Sequence, residues 1–227
     1  MRILTDPLLR GRVAHLRRTV AFPAVARLTE PHAVLISHAH LDHLDLPSLR
    51  RLAPSARVIL PRGWGALARR AGLVDVTEME PGDRIAVDGV EVLATPAEHD
   101  GHRFPLGRSS RPLGYVIDGQ VYFAGDTDLF EGMRDLAGRL DVALLPVAGW
   151  GTTLPPGHLD PERAARAAAM LAPGTAVPIH WGTYFAPRAP RGDPDGPARE
   201  FARLAAIHAP EVAVRVLRPG ESLALSD

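Results

Sequence analysis

Ala33-Val34-Leu35-Ile36 runs straight into Ser37-His38-Ala39-His40-Leu41-Asp42-His43. The first four residues have the aliphatic character of a strand covered on both faces, and the loop after them carries three imidazoles and a carboxylate. Imidazole nitrogen and carboxylate oxygen are the donors that suit a borderline divalent cation. A strand ending in a tight loop turns His38 and His40 toward one point, and Asp42 and His43, one step further round, toward a second. The spacing predicts a site for two adjacent metal ions. A single loop histidine would read equally well as a solvated residue or one satisfied by local backbone, but that alternative loses weight when H-x-H-x-D-H follows a buried-type strand.

The whole chain narrows the chemistry further. Its 227 residues suffice for a substantial core, no linker divides them, and one domain over 1–227 is expected. Lys plus Arg and Asp plus Glu balance at 26 each, so nothing predicts a nucleic-acid partner or an anionic membrane surface. There is no cysteine, which excludes thiolate metal sites and leaves ten histidines and the carboxylates as ligands. The start, Met1-Arg2-Ile3-Leu4-Thr5-Asp6-Pro7, lacks the apolar core of a signal peptide, and no apolar run is long enough to span a bilayer. A cytoplasmic protein acting on a small molecule is the expectation.

Strand-type runs recur at 34–36, 57–60, 84–87, 90–95, 113–118, 120–124, 141–145, 175–179 and 212–217. Helices are predicted over 63–71, 129–138 and 160–171, the last with Asp160 as N-cap and Pro161 in its first turn. Asp88-Gly89 and Asp118-Gly119 each separate two strand-type runs and predict hairpins. Hairpins in mid-chain and strand-helix alternation later predict an α/β (α+β) fold of mixed sheets covered by helices. Residues 181–197 are aperiodic and rich in Pro, Arg, Gly and Asp, which reads as a functional loop or an insertion.

Three later strands also end on ligand-type residues: Glu98-His99 after 90–95, Asp126 after 120–124, and His180 after 175–179. Ligands from the same end of several strands converge. His99 is preferred to His102 because it lies nearer its strand. Alone, Asp126 is ordinary turn chemistry and His180 reads equally as a core histidine.

With these motifs in place the chain resembles the metallo-β-lactamase fold superfamily, and within it the branch of ascorbate-6-phosphate lactonases and N-acyl-phosphatidylethanolamine-hydrolysing phospholipase D. Ser37 to His43 matches the superfamily signature. Pro96-Ala97-Glu98-His99 followed by Arg103, Phe123-Ala124-Gly125-Asp126-Thr127 and Pro178-Ile179-His180-Trp181-Gly182-Thr183 are similar to later motifs of the branch. The resemblance implies a four-layer αββα sandwich with a dinuclear site at one edge of the sheets. It implies that His38, His40 and His99 hold one metal, that Asp42, His43 and His180 hold the second, and that Asp126 bridges them. Gly157-His158-Leu159-Asp160 is similar to a segment that places a histidine near substrate; a histidine just before a helix cap is the other reading. Members of the branch carry a strand pair before the segment like Arg2 to Pro7, so the expectation is either a misassigned start codon or a first sheet short of an edge element, with a homo-oligomer able to cover the gap.

Two divalent ions, zinc first and manganese second, would share a water, lower its pKa and aim hydroxide at an ester, lactone or phosphodiester. Asp42 and His158 are the candidate catalytic groups, His158 as proton donor to the leaving group. Arg103, His158, Trp181 and Tyr184 are candidate substrate contacts. Arg103, Arg108 and Arg111 suggest an anionic substrate, and Trp150 joins Trp181 and Tyr184 as a candidate pocket wall. The alternatives are nucleic-acid processing on the same fold and a non-hydrolytic metal-binding or redox module.

Overall fold

Successive residues of the buried strands belong to different cores, as strands with both faces covered require. Val34, Ile36, Val58 and Leu60 pack in one apolar cluster, while Ala33, Leu35 and Ile59 pack in another. In the second sheet Val92, Ala94, Tyr115 and Phe123 join that same inner cluster, and Val116, Tyr122, Ala143 and Leu145 point to a third. The computed structural model describes residues 1–22, 28, 30–52, 56–105, 107–148, 154–186 and 193–225.

In chain order the first elements are β1 (Ile3–Thr5), β2 (Arg12–Val13), β3 (Leu16–Arg18), β4 (Ala33–Leu35), α1 (Leu46–Leu52), β5 (Arg57–Pro61), α2 (Gly65–Arg70), β6 (Val76–Met79), β7 (Arg84–Val87) and β8 (Val90–Pro96). Then come β9 (His102–Arg103), β10 (Arg108–Ser109), β11 (Leu113–Ile117), β12 (Val121–Phe123), a 3₁₀ helix (Glu131–Leu136), β13 (Val142–Pro146), α3 (Pro161–Leu171), β14 (Thr175–Ile179), β15 (Tyr184–Phe185), α4 (Gly196–His208) and β16 (Ala213–Val214).

The smaller main sheet has the order β1-β4-β5-β6, the larger β16-β14-β13-β12-β11-β8-β7. Helices α1 and α2 cover the outer face of the first through Leu49, Leu52 and Ala68. Helices α3 and α4 cover the outer face of the second through Ala164, Ala168, Phe201 and Ala205. These are the four layers of an αββα sandwich. Burying one leucine or valine in such a layer contributes about 1.5–3 kcal/mol, so the alternation, not any single contact, fixes which face each strand shows. The smaller sheet is parallel throughout its described strands, where mixed pairing was expected; the larger is mixed.

Direction decides where the site forms. Strands β8 and β12 are both antiparallel to β11 and so run the same way, and β12, β13 and β14 are parallel. The C-terminal ends of β8, β12 and β14 therefore line one edge of the larger sheet. The end of β4 meets that edge, because Leu113 N donates to Ser37 O at 2.8 Å and Tyr115 OH donates to Ile36 O at 2.8 Å.

Both predicted hairpins form, with φ of +48° at Asp88, +87° at Gly89, +53° at Asp118 and +69° at Gly119. Asp160 caps α3 by accepting from Arg163 N at 2.8 Å. The helix expected over 129–138 is a shorter 3₁₀ turn, and helices α1 and α4 were not foreseen. The apolar face of α4, Ala198, Phe201 and Ala205, is mostly small side chains, which gives a weak periodic signal. Its first turn and β15 occupy the ends of the aperiodic 181–197 stretch, whose residues 187–192 lie outside the described residues, as does Trp150. No helix among the described residues is long and apolar enough to cross a membrane.

Candidate metal centre

Every residue of the expected ligand set arrives at the common edge. His38, His40 and His99 bring one ligand atom each within 4.8 Å of one another, and Asp42, His43 and His180 do the same. Asp126 stands between the groups. Its Oδ2 is 3.2 Å from His43 Nε2, its Oδ1 is 3.4 Å from His180 Nε2, and it forms a further such group with His99 and His158. His102, the competitor of His99, turns out to solvent and pairs with Asp100 at 2.8 Å.

The rings are held by their outer nitrogens. His99 Nδ1 donates to Gly157 O at 2.7 Å and His180 Nδ1 to Ala148 O at 2.6 Å, which fixes the tautomer that leaves each Nε2 lone pair facing inward. His43 Nδ1 lies 2.6 Å from Asp6 Oδ2. The Asp6 carboxylate also accepts from Ser37 N at 2.8 Å and from Ser37 Oγ, and Ser37 Oγ in turn meets His38 Nδ1 at 2.9 Å. One carboxylate thus orients two histidines, one directly and one through a hydroxyl. Asp6 was missing from the sequence-derived set. The signal was there: it follows β1, which pairs in parallel with β4, so it ends at the same edge as the histidine loop.

Backbone shape aims the remaining ligands. Gly125 has φ +62°, and a Cβ there would lie 2.5 Å from Ser37 Cβ, so only glycine lets the chain pass the histidine loop and present Asp126. His180 itself sits at φ +62°, a left-handed conformation that non-glycine residues adopt chiefly where surrounding structure holds them.

The electrostatics suit cations. His38 is fully buried and its Nε2 has no hydrogen-bond partner among the described residues, an arrangement that costs free energy unless something electropositive meets that lone pair. Burial, reinforced by the charge of His43, holds the His38 imidazole well below its usual range; burial likewise lowers His40 and brings His99 to about 4. These three are neutral at pH 7, the form a ligand needs. Burial also opposes charge on His43, but Asp126, Asp42 and Asp6 outweigh it and raise that histidine well above its usual range. Burial pushes Asp126 up, yet His180, His43 and His38 pull it well below the carboxylate range. The donor set, the buried lone pair and the carboxylate between two groups all fit divalent ions.

A measurable consequence follows for loading. Because His43 carries a proton in the metal-free protein at pH 7, metal uptake is expected to release at least about one proton per chain. Calorimetric titration in buffers of different ionisation enthalpy reads this directly; a binding heat independent of buffer would contradict it.

The candidate substrate residues divide. His158 is at the site, with Nδ1 3.1 Å from Pro155 O and Nε2 3.7 Å from Asp126 Oδ2. Trp181 and Tyr184 line a cavity of about 600 Å³ that opens beside Asp42, His43, Asp126 and His180. Arg103 is a correction. It is buried, and its guanidinium donates to Ala39 O and to Leu44 O at 3.1 Å, so it ties down the histidine loop and has no reach toward a substrate. Arg108 and Arg111 are exposed and do not line the cavity.

The profile of the family described as Beta-lactamase superfamily domain matches residues 1–181. The chain belongs to the metallo-β-lactamase fold superfamily. Within the superfamily it is 33% identical to a protein of Methanopyrus kandleri named a UPF0173 metal-dependent hydrolase, over 97% of this chain and 90% of that one. It is 32% identical to a Mycobacterium tuberculosis protein over 97% of its own length, and spans 63% of the length of that relative. Among solved structures it is similar to a metallo hydrolase from the archaeon Ignicoccus hospitalis, with TM-score 0.66 and 29% identity, covering 85% of this chain and 78% of the other.

Proposed function

We propose that this protein is a metal-dependent hydrolase that holds two divalent ions and cleaves an ester, lactone or phosphodiester bond of a small molecule. The observation that carries the reading is the pair of three-residue ligand groups, His38-His40-His99 and Asp42-His43-His180, on either side of Asp126. A set made only of nitrogen and oxygen donors, rich in imidazole, favours zinc and admits manganese. When bound, such ions supply Lewis-acid polarisation and make water a competent nucleophile near neutral pH.

The chain's own groups do the rest. Asp126 places an anion between the cation positions and reduces their mutual repulsion. Asp6, through His43 and Ser37, keeps two imidazoles in one orientation, so little ordering remains when the metals arrive. Asp42, 3.3 Å from His43 Nε2, is the carboxylate assigned to take a proton from the attacking water. His158 keeps Nδ1 on the Pro155 carbonyl, which leaves Nε2 to hand a proton to the leaving oxygen.

Stripping the protein with chelator is expected to abolish hydrolysis across a panel of esters, lactones and phosphodiesters, and zinc or manganese to restore it. Cleavage that persists at full rate in the stripped protein would overturn the reading.

A further inference from the structure

The cavity beside the second ligand group is large enough for a substrate, being about 600 Å³ where small-molecule sites run from roughly 300 to 1,000 Å³. Its wall is formed by Leu8, Leu154, Ile179, Trp181, Tyr184 and Phe185. The charged side chains along that wall, Arg18, Asp160 and Asp193, already hold partners. Arg18, the only arginine or lysine among the described lining residues, donates from Nε to Val20 O at 3.2 Å and from its terminal nitrogens to Leu8 O, Ala21 O and Tyr184 OH. Its guanidinium also lies 4.9 Å from the Phe22 ring centroid and 5.5 Å from that of Tyr184. Tyr184 OH donates to Arg10 O at 2.5 Å. Asp160 is committed to Arg163 and the cap of α3, and Asp193 pairs with Arg199.

From this wall we infer that the substrate carries an uncharged apolar group that fills the cavity while its scissile bond lies at the ligand groups. The inference rests on the hydrolase reading and sharpens it. An anion placed there would lose its water against a mostly apolar wall whose one guanidinium already donates to three carbonyls and a hydroxyl, whereas an alkyl or aryl group would gain burial. The reacting bond would sit at the cavity's floor, where Asp42 and Asp126 supply its polar surface.

The test uses the metal-loaded full chain and 4-nitrophenyl esters from acetate to octanoate, with the 4-nitrophenyl monoester of suberic acid as an anionic match in length. We expect kcat/KM to rise about fourfold for each methylene that enters the cavity, then level off, and the suberate monoester to fall well behind the octanoate. A neutral probe with no hydrolysable bond, 2-decanone, is expected to bind both metal-free and metal-loaded protein. Leu154→Arg and Phe185→Arg are each expected to weaken that binding at least tenfold and to favour the suberate monoester, with melting temperature and metal content checked first. Flat dependence on chain length with 2-decanone unbound, or an anionic ester preferred by the wild type, would overturn the inference while leaving the hydrolase standing. Should 2-decanone bind and both arginine variants lose it while no ester, lactone or phosphodiester is cleaved, the cavity assignment holds and the hydrolase reading falls.

Discussion

Asp126→Ala is expected to lose metal binding at both positions together and to leave no measurable hydrolysis. The reason is its place between the groups, beside His43 and His180 of the one and grouped with His99 of the other. On the proposed two-ion reading, removing it would delete a ligand and the carboxylate between the two cation positions. Partners that merely orient a ligand already account for about 10–100-fold in metal affinity, so loss of a shared ligand should exceed the upper end of that range. Asp126→Asn keeps one oxygen and should retain the metals more tightly than Ala while remaining impaired. Metal titration of stripped protein checks both variants; an Ala variant that binds as tightly as wild type would show that Asp126 is only a neighbour of the site.

The second large effect is expected at Arg103. Arg103→Met keeps an apolar stem of similar length but removes the donors that hold the Ala39 and Leu44 carbonyls. Leaving buried acceptors unpaired costs about 1–3 kcal/mol each, so a stability loss on the order of 3 kcal/mol is expected. Because those carbonyls flank His40, Asp42 and His43, metal affinity should fall by about 10–100-fold as well. Arg103→Lys, which offers one compact ammonium in place of a planar fork, should recover part of the stability and little of the metal affinity. If Arg103 instead served as an arm for an anionic substrate, the Met variant would raise KM for anions and leave melting and metal uptake unchanged. Thermal melts and metal titrations of the two variants decide between these outcomes.

Much of the centre was legible because its densest part is local. His38, His40, Asp42 and His43 follow one strand within a single loop, and the short apolar runs of β4, β8, β12 and β14 give away strands whose ends must gather at an edge. What the sequence concealed is what depends on pairing between distant segments. Asp6 is 31 residues from Ser37, and becomes a partner of the histidine loop only through the parallel register of β1 on β4. Arg103 shows the opposite failure: its charge suggested a substrate, while burial beneath the loop turns that charge toward backbone carbonyls. Arg103 therefore gives no guide to substrate charge. Helix α4 was hidden by its small alanines and by the proline-rich stretch before it.

The most direct test is elemental analysis of protein loaded with zinc and freed of excess, with hydrolysis followed as each equivalent is added to the stripped chain. About two zinc ions per chain are expected, with activity reaching its full value as the second is taken up. Full activity with a single bound ion, or a chain that retains no metal while His38, His43 and Asp126 remain intact, would contradict that expectation.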